Sequence, residues 1–205
     1  FHSHLADAND CFTKAWNLRP VLPLAPSRMI YVSLGLSGFT EMRLWFDRAT
    51  MAQIDYQAAW SNLRWGLRPR WHGSLNALLA LGMTAINTGR FDTEVPRTFV
   101  DAVADLENET VPFRGQHLYG RSDIWPHMQR MYEGYLAEPS QEASRRGWRS
   151  VYAAVAYQAG RLDVARAQLE AALAQPRMSK AAEVVPICVL GGLLETAVLL
   201  EDHQA

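Results

Sequence analysis

The sequence predicts an all-α chain, built as an α-solenoid of antiparallel helical hairpins. Three observations point that way. Gly160-Arg-Leu-Asp163 reads as a helix–turn–helix junction, with Gly160 where a left-handed residue is cheap and Asp163 placed to cap the helix that follows. Gly89-Arg-Phe-Asp92 is a near-copy standing 71 residues earlier, about two ~34-residue repeat lengths. Apolar residues recur at helical spacing along most of the chain, and period-two alternation is nearly absent.

From the N-terminus, Ala8, Phe12, Ala15 and Trp16 form one apolar stripe, and Pro20, Pro23 and Pro26 predict an extended connection. Met29-Ile-Tyr-Val-Ser-Leu34 has local strand propensity, but a strand here would lack a partner. Ser27 as cap and Gly38 as terminator make it a helix. Thr40–Ile54 is amphipathic through Met42, Leu44, Trp45, Phe46, Ala49 and Met51. Asp55-Tyr56 opens the next helix, with Ala59, Leu63 and Gly66 at hairpin spacing and Pro69 as its stop. Gly73-Ser74 caps a helix through Leu75, Leu79, Met83 and Ile86. The stretch from Phe91 to Pro96 signals a start, and Phe99, Val100, Val103 and Leu106 give that helix its apolar face. Residues 107–123 read as a long loop, followed by helices over Trp125–Leu136, Ser140–Ala159, Leu162–Ala174 and Ser179–Glu201. In the hairpin opened by Gly160, small Ala165 and Ala172 let helices approach, Leu169 fills between them, and Pro176 ends the run. These spacings, with Ala8, Phe12, Ala15 and Pro20 at offsets 0, 4, 7 and 12, are those of the second helix of a tetratricopeptide hairpin. Because the first helix of that hairpin is missing and the chain opens on Phe1, it is expected to be one domain, residues 1–205, of a longer protein. The apolar stretch 184–200 is expected to pack under another element or another chain, which leaves room for an oligomer or larger assembly.

Composition narrows the function classes. Hydrophobic residues are 49% and charged residues 20% of 205 residues, a folded globular balance. A formal net charge of −1 gives no field toward nucleic acid, although Arg145, Arg146 and Arg149 with Arg121 make a local basic run that Glu133, Glu138 and Glu142 would neutralise. No apolar run reaches the ~18 residues of a membrane span. Cys11 and Cys188 lie in apolar helical stretches and read as buried thiols, so a reducing, cytoplasmic setting is expected.

The segment 60–74 concentrates the candidate chemistry. It holds Trp60, Trp65 and Trp71, with Arg64, Arg68 and Arg70, and no acid. As a pocket, the arginines would grip a carboxylate or phosphate and a tryptophan would stack on the ligand. As structure, Trp60 and Trp71 would be core wedges, and the arginines would pair with acids such as Asp47 and Asp55 or bond open carbonyls at the helix end. Arg64, Arg68, Arg70, Trp71 and His72 are the expected partner-binding residues.

Trp65-x-Leu67-x-Pro69-Arg70-Trp71-x-Gly73-Ser74, with Trp45-Phe46-Asp47-Arg48-Ala49, Asp55-Tyr56, Gly89-Arg-Phe-Asp-Thr93 and Val95-Pro96, resembles a bacterial family of uncharacterised domains. That family has tetratricopeptide-like helices and a Pro-Arg-Trp-x-Gly-Ser signature. The resemblance covers residues 35–175 and implies the fold without supplying catalytic residues. The chain departs from the family pattern at His72, where a second glycine is usual.

No catalytic constellation is identified. His2-x-His4 lacks acids or cysteines at ligand spacing, Ser74 beside His72 is placed as a cap without a nucleophile elbow, and His127 sits between Trp125 and Met128 on a helix. No Walker loop, Rossmann fingerprint or His-Glu-x-x-His occurs. The expectation is a non-enzymatic interaction or scaffold module without cofactor or metal, holding a protein or peptide partner in a helical-repeat groove. The alternative is a small-ligand binder or helical-repeat enzyme using the 60–74 segment.

Overall fold

The computed structural model describes residues 2–36, 38–71, 73–110 and 118–175, and all regular structure among them is helical. The elements are α1 (His2–Leu18), α2 (Leu24–Leu36), α3 (Phe39–Ala52), α4 (Gln57–Gly66), α5 (Leu75–Asn87), α6 (Thr98–Thr110), α7 (Trp125–Ala137), α8 (Arg145–Gln158) and α9 (Leu162–Leu173). Short 3-10 turns occupy Leu118–Gly120 and Pro139–Ser144. They group into two compact units divided at Pro112, one with α1–α6 and one with α7–α9. No described helix is long and apolar enough to cross a membrane.

In the first unit each helix packs on the next from α1 to α4, α4 also lies against α2, and α6 joins α4 to α5. The core of α3 and α4 is aromatic. Trp60 is fully buried, meets Phe46 edge to face with centroids 4.9 Å apart, and donates its indole N–H to the Ile54 carbonyl at 2.8 Å. That bond matters because a buried indole N–H without an acceptor would cost about 1–3 kcal/mol. A polar link joins α2 to α4: the buried Asn62 amide donates to the Ser27 carbonyl at 2.9 Å and to Ser27 Oγ at 3.2 Å. Between α5 and α6 the backbones come close at Gly82, where a Cβ would stand 2.9 Å from Phe99 Cδ2 and 3.0 Å from Phe99 Cα.

In the second unit α8 packs on α7 and α9. Tyr132 stacks on Tyr152 at 4.7 Å and Tyr135 on Trp148 at 3.9 Å. Ala165 and Ala172 are buried, as small residues at a close helix crossing should be.

The two glycine turns end their helices in related ways. Gly160 has φ 70°; its N–H donates to the Tyr157 carbonyl at 2.9 Å, and the Arg161 N–H donates to that of Ala156 at 2.8 Å, which is a Schellman motif. Gly89 has φ 64° and bonds to Ile86 in the same manner, but here Thr88 intervenes. Its hydroxyl donates to the Ala85 carbonyl at 2.6 Å and accepts from the Arg90 N–H at 3.3 Å, standing in for the second backbone bond.

Several expectations are corrected. Pro26 belongs to the first turn of α2, where a missing N–H leaves no intrahelical bond unmade. Ser27 is therefore a buried helical residue and not the cap. Asp163 sits in the first turn of α9 without capping it, because Arg161 occupies the cap position. The segment read as one helix over Ser140–Ala159 is split: Pro139 starts a 3-10 turn in which Glu138 accepts from the Ser140 N–H, and α8 begins at Arg145. Helix α6 runs on to Thr110, into the segment read as loop. Cys11 is exposed, since α1 turns it away from its contact with α2. The expected helix over Ser179–Glu201, Cys188 and the 184–200 stretch lie outside the described residues.

The close α5–α6 approach generates a contrast in stability. Gly82→Ala should destabilise the fold despite alanine's better helix propensity, because Phe99 must move. Gly147→Ala, in α8 with open space around its Cα, should stabilise by about 0.5–1 kcal/mol. Urea unfolding of the two variants checks both signs; a gain from Gly82→Ala would refute the packing argument.

Candidate functional site

The segment singled out by its tryptophans and arginines spans the second half of α4, the turn after it, and the start of α5. Helix α4 ends at Gly66; Leu67 closes it by donating to the Leu63 carbonyl at 2.9 Å, and the Trp71 N–H donates to the Arg68 carbonyl at 2.9 Å in the following turn. Ser74 caps α5 as its position suggests, its hydroxyl accepting from the Ala77 N–H at 3.1 Å.

Opposite this segment, α6 presents Asp101, Asp105 and Glu109 at four-residue spacing, one carboxylate per turn on one face. The arginines meet them in order. Arg64 Nη1 donates to Asp105 Oδ2 at 2.7 Å and to the Asp101 carbonyl at 3.0 Å, and Arg64 Nη2 stands 3.8 Å from Asp101 Oδ2. Arg68 Nη2 donates to the other oxygen of Asp105, Oδ1, at 2.5 Å. Arg70 pairs with Glu109, its Nε donating to Oε1 at 2.8 Å. Asp105 is thus buried with one guanidinium on each oxygen, the condition under which a buried carboxylate is tolerable. Arg68 Nε is buried without a hydrogen-bond partner, and its guanidinium lies 4.2 Å from the Trp65 ring centroid, so the indole face takes the place of water there.

The expected residues therefore come together unequally. Arg64 in the last turn of α4 and Arg68 and Arg70 in the turn after it all meet α6, so their acids come from α6 and not from Asp47 or Asp55. Arg43 holds Asp47 at 3.0 Å, and Asp55 lies in the field of Arg90. Trp60 is a core wedge. Trp71 is 46% exposed and Trp65 more than a third exposed, so neither closes the core. His72 lies outside the described residues. Of the acids expected to neutralise the α8 arginines, Glu142 pairs with Arg145 at 2.5 Å; Arg121 is held by Asp123 and Arg149 bonds Gln168 at 2.8 Å. The acids of α6 were missed by sequence reasoning, although their four-residue spacing, matched to Arg64 and Arg68, is a usable signal.

Burial pushes the Asp101 carboxyl above its ordinary value, outweighing Arg64 and Arg97, with Asp105 and Glu94 pushing the same way. A carboxyl raised in the folded state binds its proton more readily there than in the unfolded chain. Its contribution to stability is present at low pH and is lost as pH rises through the folded-state value. Among the described residues no group of three or more His, Cys, Asp or Glu is placed to hold a metal ion.

Compared with protein families, with curated proteins and with solved structures, the chain has no match.

The ladder generates a paired test. Asp105→Asn should cost about 2–3 kcal/mol, since two guanidinium groups lose their shared charge. Asp101→Asn should leave stability at neutral pH unchanged or raised, and should flatten its decline as pH rises from the carboxylate range. Thermal unfolding across pH measures both. Equal losses from the two variants at neutral pH would sink the distinction.

Proposed function

We propose that the chain is a non-catalytic interaction module, a short tetratricopeptide-like α-solenoid that holds a peptide or partner helix through the surface around the end of α4. Support for the solenoid comes from consecutive helices packing on one another, across short turns at α2–α3 and α8–α9 and across the longer 88–97 connection at α5–α6. The observation that carries the interaction reading is the division of labour along residues 64–71. The arginines are occupied by the carboxylates of α6, whereas Trp65 and Trp71 face solvent. Exposed tryptophans bordered by a charged rim are the composition of an interface centre, where large rigid rings supply most of the binding energy. The arginines then act by fixing the turn that presents the rings, Arg70 through its pair with Glu109.

Immobilised chain should retain a partner from extracts of its source cells, and a peptide from that partner should shift tryptophan emission on titration. Trp71→Ala should weaken the affinity about tenfold or more while leaving the melting temperature in place. Retention of nothing at any concentration, or undiminished affinity in both Trp65→Ala and Trp71→Ala, would sink the reading.

A further inference from the structure

A different end of the first unit carries its own signal. Leu18 is 80% exposed, Val21 71%, and Leu22 and Leu24 more than half, from the last residue of α1 through the turn to the first residue of α2. At the end of α3 Met51 is 88% exposed, and on the turn from α3 to α4 Ile54 is exposed too. The two turns share one end of the unit. Trp16, near the end of α1, meets Trp45 edge to face at 5.6 Å and lies 4.3 Å from the Arg48 guanidinium, which also stacks at 4.2 Å on Trp45. These contacts bring the last turn of α1 beside the second half of α3. Single exposed leucines are ordinary, but apolar side chains gathered on two neighbouring turns make a patch.

Two further features say what covers it. The first is the backbone. Pro20 and Pro23 have no N–H to lose to an apolar phase; the Arg19 N–H donates to the carbonyls of Ala15 at 3.1 Å and Trp16 at 3.2 Å, and the Leu22 N–H donates to that of Arg19 at 3.1 Å. The Arg19 and Leu22 donors are thus satisfied internally, which lowers the cost of taking the turn out of water. The second is charge. From Cys11 to Thr40 there is no acid, while Lys14, Arg19 and Arg28 are exposed and none of them is in an ion pair among the described residues. The other charges at this end are balanced or sheltered: Arg43 pairs with Asp47, Arg48 is clasped by indoles, and Asp55 faces the Arg90–Asp92 pair of the α5–α6 turn.

We propose that this end of the first unit is a membrane-contact edge, with the leucine- and valine-bearing turn entering the headgroup–acyl boundary of an anionic bilayer and Lys14, Arg19 and Arg28 meeting lipid phosphates. The chemistry fits because interfacial binding combines buried apolar area with attraction of basic residues to acidic lipids. The surface is a set of turn tips and not a groove, and a fluid bilayer, unlike a partner helix, demands no matching shape.

The full chain should co-sediment with phosphatidylserine-containing vesicles and far less with phosphatidylcholine vesicles, and added salt should release it. Brominated lipids should quench the emission of Trp16 and Trp45, which flank the edge. Leu22→Asp should lower partitioning at least about tenfold. Arg19→Gln and Arg28→Gln should lower it about fivefold each, the effect of one basic residue at such a surface. Helical circular dichroism and the melting temperature should not change, because these side chains are exposed. The proposal fails if wild-type chain binds neither vesicle, or if Leu22→Asp binds like wild type. It also fails if light scattering shows the patch already covered by a second copy in a Leu22-dependent dimer.

Discussion

Asp105 is a single buried carboxylate with two arginines on it, and it decides how the first unit holds together. Helices α1 to α4 pack through apolar and aromatic side chains, and α5 rests on α6 through the tight approach at Gly82. Between these groups α6 also meets α4, where Arg64 and Arg68 close on the two oxygens of Asp105. Such a pair adds little net stability over a well-packed apolar contact, since desolvation offsets most of the attraction. Its effect is on register. Sliding α6 by one residue would take Asp105 out of reach of both guanidinium groups and leave one buried carboxylate and two half-buried guanidinium groups without these partners. The cost of that slip is what makes one arrangement of α4 on α6 preferred.

The same constraint shapes the surface. A turn after α4 held by Arg68 and Arg70 cannot fold inward to bury Trp71, so the ring stays in solvent, and Trp65 is committed to covering the Arg68 guanidinium on one face. Exposure of these tryptophans is therefore a by-product of where the arginines are anchored. Asp101 completes the ladder on less favourable terms: it stands at the first turn of α6, where the helix dipole favours a negative charge. Yet burial still raises its proton affinity, because Arg64 is mostly engaged by Asp105 and by the Asp101 carbonyl.

Local signals were legible and tertiary ones were not. Helical periodicity placed all nine described helices within a few residues, and Ser74, Gly89 and Gly160 did what their types and positions implied. Each of those features is decided by atoms within one turn. The misreadings have a common physical origin. Ser27 and Asp163 have good capping chemistry, but the helix start is set by the chain on either side: Pro26 fits a first turn of α2, and the Schellman bond from Arg161 draws α9 to begin at Leu162. Cys11 is apolar enough for a core, yet which face of α1 is covered depends on where α2 lies. In the candidate site, the arginine cluster was evident while its partners, some forty residues away in sequence, became visible only when α4 crossed α6.

The two glycine turns show how far a repeated motif constrains its surroundings. Both place glycine in the left-handed region and both follow it with arginine, a large apolar residue and aspartate. After Gly89 the arginine folds back on its own turn, pairing with Asp92 through two bonds of 2.8 Å. After Gly160 the corresponding Arg161 reaches away, to 5.8 Å from the ring of Trp125 on α7. The difference follows from what stands nearby. Trp125 offers an aromatic face to Arg161, whereas Arg90 has its nearest counter-charge two residues on and a second acid, Asp55, in its field. A repeat of this kind therefore specifies the backbone reversal and leaves each long side chain to the neighbours that the packing supplies. For the same reason the surfaces of the two units have to be read residue by residue, even where their turns are spelled alike.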